Sequence, residues 1–431
     1  MSSCRPLCIT GLFVLLNATA HTALAARITD VADASDTVIL NETPTHDSID
    51  VYIGTTFDTV FSKGRITREP IDRPGTTVGC IEGNARQCLP VDELKWQRSI
   101  HKMEINGQLG IYHDLALTLE LPIFFGDTLN FDYANGVDER NSSIDDGTAN
   151  ALFAHDFSAK RRGVGHLNLG ARWAPFNDER DDTKPTWVLF FKWGMPYTAS
   201  VHDPQKSPAT KDNPGPMGDG VHYLTFGTAF SKRLAQFGSI ASDPKSNRRG
   251  FTDPYVEFSI TAPIPEKGRA PAALTASAFG ESPSIVGLVR AGFEYVPFED
   301  LRHHRQLAID FGFRGALHSE GRNYSELSDP LGELTYTEQY LSVGGLLGMY
   351  FQATEFIRLH LGLGGGHVTE HFLTYEEVGV DTNGDGQVTC DGSGADQCNP
   401  FFSPEQDQIG FRFKSERHLY LQINAGFELT F

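Results

Sequence analysis

Oxygen-bearing side chains recur at alternate positions in a glycine-containing segment towards the end of the chain. They are Asp381, Asn383 and Asp385, and Gly386 and Gln387 follow directly. Calcium prefers oxygen ligands, and a glycine permits the sharp turn that brings alternate side chains and one backbone carbonyl around the ion. The segment therefore predicts a structural calcium site that orders a loop, with a solvated Asp/Asn/Gly turn as the alternative.

The same segment resembles the first half of the calcium loop of EF-hand proteins. It departs from that family at the twelfth position, which holds Gly392 where the family has glutamate, so the closing ligand would have to be Asp391 or Asp396. A bridge between Cys390 and Cys398 would replace the flanking helices as a clamp. The predicted ligands are Asp381, Asn383, Asp385, Gln387 and Asp391.

Two cysteine pairs have identical spacing, Cys80 with Cys88 and Cys390 with Cys398. Both pairs lie in polar segments that contain glycine, which predicts two short disulfide-closed loops, near 80–88 and 390–398, in an oxidising compartment. Zinc is the alternative, but neither pair has Cys-x-x-Cys spacing or a histidine close by in the sequence.

The N-terminal residues predict export. Arg5 precedes an apolar stretch over 9–16, and Ala23-Leu24-Ala25 has the small-x-small form of a signal-peptidase site. A buried N-terminal helix is the alternative. We predict a signal peptide over 1–25, a flexible periplasmic leader over 26–49 and one large domain over 50–431.

Composition excludes some classes of protein. The formal net charge of -19 does not suit a nucleic-acid partner. Mean hydropathy is -0.28, and the chain has no run of about 18 apolar residues that could form a membrane helix. A membrane β-barrel has equally low hydropathy because only alternate residues meet lipid.

The stretch 418–431 alternates without a break between apolar and polar residues. Leu419, Leu421 and Ile423 begin one parity, whereas Tyr420 and Gln422 belong to the other, which is the period-2 pattern of a strand with one apolar face. Ending on Phe431, it resembles the C-terminal strand of bacterial outer-membrane β-barrels. That resemblance implies a place in the outer membrane, contact with its lipid and lipopolysaccharide, and recognition by the barrel-assembly machinery.

About twelve segments show this alternation, and long and short connections alternate between them. We predict strands at 50–61, 99–111, 115–125, 163–174, 186–197, 221–233, 254–263, 284–296, 306–318, 336–351, 356–372 and 418–431. The chain is thus predicted to be all-β, a transmembrane antiparallel up-and-down barrel with long extracellular loops and short periplasmic turns. The connection 234–253 is longer than such a turn should be. A β-sandwich and a propeller are the soluble alternatives.

If the apolar parity faces lipid, the other parity faces the lumen. The charged residues predicted to line it are Asp58, Lys102, Glu104, Glu120, Arg172, Lys192, Glu257, Arg290, Glu294, Asp310, Arg314, Arg358 and Glu428. Acids and bases nearly balance. Such a lumen is either filled by a structural ion-pair network or forms a channel whose charges orient a polar solute.

Residues that could catalyse hydrolysis also occur in loops and near strand ends. They are His155, Asp156, Ser158, His318, Ser319, His367 and His371. Spacing does not show that any of them meet, and isolated histidines at a rim are more often solvated than catalytic. We therefore expect a porin-like channel for small polar solutes and no enzyme. The alternatives are a structural or adhesive surface barrel and a rim hydrolase, either a lipid deacylase or a protease.

Overall fold

The described part of the chain forms one closed antiparallel β-barrel, which confirms the predicted fold class. The barrel has twelve strand positions around its circumference, and we call each position a stave. The first and last staves pair along most of their length, from Tyr52 opposite Thr430 to Arg68 opposite Phe413, and this pairing closes the sheet. The computed structural model describes residues 29, 31, 51–69, 91–112, 114–139, 142–144, 151–178, 181, 183–198, 200–234, 248–275, 283–300, 305–354, 356–381, 384–388 and 397–430.

Each stave is a single strand, except that β4 and β5 together make the fourth. The strands are β1 (Val51–Arg68), β2 (Val91–Tyr112), β3 (Leu115–Tyr133), β4 (Ser158–Val164), β5 (Leu167–Phe176), β6 (Thr186–Met195), β7 (Val221–Ser231), β8 (Arg248–Pro265), β9 (Val286–Asp300), β10 (Arg305–His318), β11 (Gly321–Asn323), β12 (Thr335–Thr337), β13 (Tyr340–Gln352), β14 (Ile357–Val368), β15 (His371–Phe372) and β16 (Phe413–Thr430). β11 pairs only with β12, and β15 extends the sheet beside β16. Two short helices, α1 (Ala272–Thr275) and α2 (Ser328–Leu331), lie in connections.

The alternation seen in the sequence separates an apolar outside from a polar inside. On β1, Ile53 and Phe57 are about half exposed, whereas Thr56 and Asp58 between and beside them are buried. A lipid-facing wall must satisfy every backbone N–H and C=O internally, and a closed barrel does so because it has no free edge. The outward apolar residues therefore form a belt on a wall without unpaired strands.

Connections alternate in length around the barrel, as predicted. At one end, 113–114, 177–185, 301–304 and 353–356 are short, and 232–247 is a longer exception; at the other, 69–90, 134–157, 196–220, 266–285, 319–339 and 369–412 are long. We call these the inner and outer ends, since outer-membrane barrels place short turns in the periplasm and long loops outside. Within the described residues, no helix has the length and apolar character needed to cross a membrane.

Several strands extend further towards the outer end than predicted. β1 continues to Arg68 rather than 61, β2 starts at Val91 rather than 99, β3 reaches Tyr133 rather than 125, and β16 starts at Phe413 rather than 418. Above the apolar belt the outward positions meet water and become polar, as at Lys63, so the alternation disappears although the ladder of hydrogen bonds continues.

Other predicted boundaries were also wrong. The segment predicted over 336–351 contains β12 and β13, and that over 356–372 contains β14 and β15. The predicted connection 234–253, which is longer than a periplasmic turn should be, includes the start of β8 at Arg248. Its residues 235–247 lie outside the described part of the chain. The predicted signal peptide, Cys80, Cys88, Asn383, Cys390, Asp391 and Phe431 lie outside it too.

The largest apolar cluster lies inside the outer mouth of the barrel. Inward residues of the extended strands supply its wall: Ile66, Leu94, Trp96, Leu129, Phe131, Ala159 and Phe413. The long connections supply its filling: Ile144, Phe153, Ala209, Leu327 and Leu373. We call the described parts of the connections 134–157, 196–220, 319–339 and 369–412 the cap, because their side chains pack into this mouth.

The inner mouth holds two described residues of the predicted leader. The Thr29 hydroxyl is 2.7 Å from the hydroxyl of Ser231 on the wall. Val31 packs against the cluster of Ala174, Val188, Ala229 and Tyr255. Both residues therefore contact the inward face of the barrel.

Candidate functional site

All thirteen charged residues predicted for the lumen lie on the inward parity and are buried or half-buried. Fully or nearly buried are Asp58, Glu104, Lys192, Glu257, Arg290, Glu294, Asp310 and Glu428. Half-buried are Lys102, Glu120, Arg172, Arg314 and Arg358. Because buried charges are costly unless they are paired, the contacts among them decide what the lumen can do.

One group of charges follows β1, β2, β3 and β6. The Lys192 ammonium lies 2.7 and 2.8 Å from the two carboxylate oxygens of Glu120. The Lys102 ammonium lies 3.4 Å from Asp58 and 3.7 Å from Glu104. Gln422 donates to both oxygens of Asp58 at 3.0 and 3.1 Å. Acids and bases are thus interleaved on this part of the wall.

A second group occupies the opposite wall. Arg290 is 3.6 Å from Asp310, which also accepts a 2.8 Å hydrogen bond from the Tyr255 hydroxyl. Nearer the inner end, Arg358 pairs with Glu428 at 3.2 Å and lies over the ring of Tyr52. These contacts leave the inner face charged at several levels along the barrel.

Glu257 lies between the two groups. It is 1% exposed and interacts electrostatically with Arg290, Arg172, Lys192 and Arg314. Its Oε1 has no hydrogen-bond partner among the described residues. The middle of the lumen therefore holds one carboxylate that several bases share.

Glycines on the inner face make room for side chains that lie flat against the wall. A Cβ on Gly292 or Gly312 would come within 2.6 or 2.7 Å of the Tyr255 hydroxyl. A Cβ on Gly362 would be 2.5 Å from Asn424. Small residues at these positions let large polar side chains from neighbouring strands occupy the lumen.

The cap is held together by Asp329, whose side chain is fully buried. Its Oδ1 accepts hydrogen bonds from the His202 ring at 2.6 Å and from the backbone N–H of Ala209 at 3.0 Å. Its Oδ2 accepts from both Nε and Nη2 of Arg161 on β4. Tyr324 also donates its hydroxyl to the carbonyl of His202. One carboxylate therefore joins two long connections to the barrel wall.

The charges around Asp329 shift its titration and that of His202. Burial by itself would raise the pKa of Asp329, but the positive charge of Arg161 and the hydrogen bond from His202 outweigh it and hold the pKa well below the usual value. Burial lowers the pKa of His202, and Arg161 lowers it further against the opposing bond to Asp329. The surroundings therefore keep the Asp329 carboxylate ionised.

A second junction is centred on Arg322, which is 1% exposed. Its Nε donates to Glu376 at 2.7 Å, its Nη1 donates to the carbonyl of Ala273 at 2.7 Å, and its guanidinium lies over the ring of Phe401. Asn399 donates to the other oxygen of Glu376 at 2.8 Å. Three connections meet at this arginine.

The described residues of the predicted calcium loop form a turn. Asp381 accepts 2.7 Å hydrogen bonds from the backbone N–H groups of Gly384 and Gly386, and Asp385 accepts one from Gln387 at 2.8 Å. Among the described residues, no group of three or more His, Cys, Asp or Glu side chains is arranged to hold a metal ion. Calcium binding stays a prediction. Cys398 is disulfide-bonded.

The structure disperses the residues considered for hydrolysis. His155 stacks on Tyr133 with ring centroids 4.0 Å apart, and Ser158 donates to Asn130. His318 and His371 come together instead, stacked on opposite sides of Tyr340 at 4.3 and 4.2 Å. Tyr340 and Glu326, which lies nearby, were absent from the sequence-based set.

The residues that hold the cap were missed because nothing local marks them. Arg322 and Asp329 lie in a polar connection with no period, and their partners are distant in the sequence. One buried pair on the barrel wall could have been found from the sequence. Once β2 and β3 are extended, Arg98 and Asp127 fall on the inward parity, where they form a buried bidentate pair.

The closed barrel, its apolar belt and its charged interior define a bacterial outer-membrane β-barrel protein. No protein-family model and no curated protein matches the chain.

Several solved outer-membrane proteins are similar to this chain at a low level. An outer membrane channel from Pseudomonas putida F1 is 10% identical, with a TM-score of 0.38, and the match covers 92% of this chain and 100% of that one. The outer membrane protease OmpT from Escherichia coli is 8% identical, with a TM-score of 0.29 and coverage of 91% and 99%. The transport unit of the autotransporter AIDA-I from Escherichia coli is 8% identical, with a TM-score of 0.37 and coverage of 94% and 97%. Similarity at this level carries no argument about function.

Proposed function

We propose that this barrel is a gated passage for small polar solutes, closed at its outer end in the structure described above. The observation that carries the proposal is the contrast between a polar lumen and the means of its closure. Charged side chains line the wall from Arg358 near the inner end to Arg98 below the cap. The apolar filling above them comes from connections, not from staves.

A cap built in this way can move without breaking the barrel. Residues such as Phe153 and Leu327 are joined to the wall by packing and by a few side-chain junctions, whereas the staves are joined by continuous ladders. Loops belong to the low-stability end of a structure, and opening them leaves the core sheet intact. Opening would expose a balanced set of charges able to orient a dipolar or charged solute.

Conductance across planar lipid bilayers tests the proposal. We expect purified wild-type barrel to give small or infrequent conductance steps, and Asp329→Asn to open more often because the substitution weakens the bonds to Arg161 and His202. Asp212→Asn, an exposed change in the same connection as His202, is the matched control and should behave as wild type.

Folding must be verified for each variant by heat-modifiable gel migration. If the folded wild type and the folded Asp329→Asn variant both give no conductance steps, the passage does not exist. The barrel would then serve a structural or adhesive role.

A further inference from the structure

A small, partly open chamber lies between the cap and the top of the lumen. Its volume is about 30 Å³, enough for about two water molecules. Staves contribute Thr261, Val286, His318 and Tyr340, and the cap contributes Glu326. The chamber is therefore directly above the proposed passage.

Glu326 is buried in this chamber without a hydrogen-bond partner. The residue is 1% exposed, and neither carboxylate oxygen has a partner among the described residues. Burial raises its pKa to about 7, although its own backbone N–H and the charge of Arg98 oppose the shift. An ionised carboxylate in this position lacks the donors that normally offset the loss of water.

No basic side chain of the described lining balances Glu326. The lining contains neither Lys nor Arg, and Glu326 is its one acid. Arg98, whose charge acts on Glu326, is paired with Asp127 through Nε and Nη2, and its Nη1 has no hydrogen-bond partner among the described residues. The lining of the chamber therefore supplies no cation to an ionised Glu326, and the charge of Arg98 offsets it only in part.

Two other polar side chains of the chamber, both histidines, can accept hydrogen bonds. His318 and His371 stack on the two faces of Tyr340. Burial lowers the pKa of His371 to about 4, so its ring is neutral and offers a lone pair near neutral pH. Neutral imidazoles beside a carboxylate suit a ligand that donates hydrogen bonds and carries positive charge.

We propose that this chamber binds a small monovalent cation of the ammonium type, with Glu326 as its counter-charge. The volume limits the ligand to about the size of ammonium or methylammonium. A bound cation would donate hydrogen bonds to both carboxylate oxygens of Glu326. It would also offset the free-energy cost of burying the ionised carboxylate. As a site on a transport route, the chamber rests on the proposed passage; as a binding site, it does not.

Isothermal titration calorimetry of the folded barrel in detergent at pH 8 tests the binding directly. Ammonium chloride and methylammonium chloride are the ligands, and tetramethylammonium chloride, which exceeds the chamber, is the matched salt. We expect the first two to bind and the third not to bind. Glu326→Gln keeps the shape but removes the charge, so affinity should fall about tenfold or more.

Two further variants keep the test independent of folding defects. Glu320→Gln, an exposed change in the same connection, should leave affinity unchanged. Tyr340→Phe keeps the aromatic stack and should weaken binding less than Glu326→Gln. Equal affinity in wild type and folded Glu326→Gln, or equal binding of tetramethylammonium, overturns the proposal.

The pH dependence provides a second readout. Affinity should fall as pH drops below about 7, where Glu326 becomes protonated, and this fall should be absent from Glu326→Gln. The other titratable groups around the chamber are Arg98, Tyr223, Arg314, His318, Tyr324, Tyr340 and His371.

The bilayer and calorimetric results separate the two proposals. Ammonium binding without conductance would remove the passage and leave the site. Conductance without ammonium binding would remove the site and leave the passage.

Discussion

The lumen and the cap both bury charged groups, but they position them by different means. In the lumen, Lys192 reaches Glu120 across β5 beside Gly170, which pairs with both Lys192 and Thr118. Strand register sets that contact. In the cap, Asp329 meets Arg161 and His202, which are separated from it by 168 and 127 positions in the sequence. The packing of the connection that carries Asp329 against the wall and against a second connection sets those contacts.

This difference predicts different responses to mutation. A lumen charge sits on a wall held by hydrogen-bond ladders, so its loss should change the electric field inside the barrel and leave the architecture in place. A cap charge is itself a structural connection, so its loss should release loops. Each variant below tests that distinction.

The largest effect is expected from Arg322→Ala. It leaves Glu376 buried without its partner and removes the bond to Ala273, which should cost the cap about 3–5 kcal/mol. Limited proteolysis of the folded protein should show faster cleavage within the cap while the heat-modifiable barrel persists. Arg305→Ala at the exposed inner end is the control. Unchanged cleavage in Arg322→Ala would show that this junction does not hold the cap.

Trp96→Ala tests the apolar contact between the barrel wall and the cap. Trp96 is fully buried and packs edge-on against His418, so its removal should leave a cavity that costs about 3 kcal/mol or more. Thermal unfolding followed by near-UV circular dichroism should show an early loss of cap signal. Trp193→Ala, on the half-exposed outer face, should change it far less.

Lys192→Met tests the lumen. It leaves Glu120 without its ammonium partner at a half-buried position, which should destabilise the barrel by about 1–3 kcal/mol. The clearer expected result is a shift of the reversal potential in a salt gradient towards cation selectivity, with cap cleavage as in wild type. Faster cap cleavage in this variant would contradict the separation of the two regions.

A pH series tests the cap through Glu326. Its folded pKa, about 7, lies above the reference value of 4.5, so the folded state binds the proton more tightly and the resulting stability is present at low pH and lost as pH rises towards 7. Without ammonium, the free energy of cap opening should therefore fall by about 1–3 kcal/mol between about pH 5 and pH 8. Cap cleavage should become correspondingly faster. The increase should be smaller in Glu326→Gln.

Asp329 and His202 should make the stability of the cap fall as the pH is lowered, which is opposite to the effect of Glu326. Both have folded pKa values below their reference values, so the unfolded state takes up protons first and the cap should lose stability as the solution is acidified. In Glu326→Gln only this acid-side loss should remain. A flat pH profile in wild type would contradict both assignments.

The smallest effect is expected from the predicted calcium loop. Calcium should raise the melting temperature slightly, and Asp385→Ala should reduce that gain by the equivalent of about 1 kcal/mol or less, since the segment is exposed. Differential scanning fluorimetry with calcium and with magnesium measures it. If neither calcium nor Asp385→Ala changes melting, the segment is a solvated turn.

Much of the barrel could be predicted because its environment acts on every residue in the same way. Lipid outside and a polar lumen inside impose a period of two, so Asp58, Lys102 and Glu120 could be placed on one face from parity alone. The same reasoning failed above the belt. There, outward positions such as Lys63 meet water and are polar, so apolar and polar residues no longer alternate along the strand.

The sequence by itself determined the strand periodicity, the alternation of long and short connections and the nearly balanced charge of the inward parity. These are local properties, since each depends on neighbouring residues and on the solvent each side chain meets. The tertiary structure alone decided that loop side chains pack into the outer mouth, that Asp329 and Arg322 join the cap to its neighbours, and that Glu326 lies in a chamber beneath it without a hydrogen bond from another residue. Those features depend on contacts between segments far apart in the chain, and no period or motif records which loops will meet.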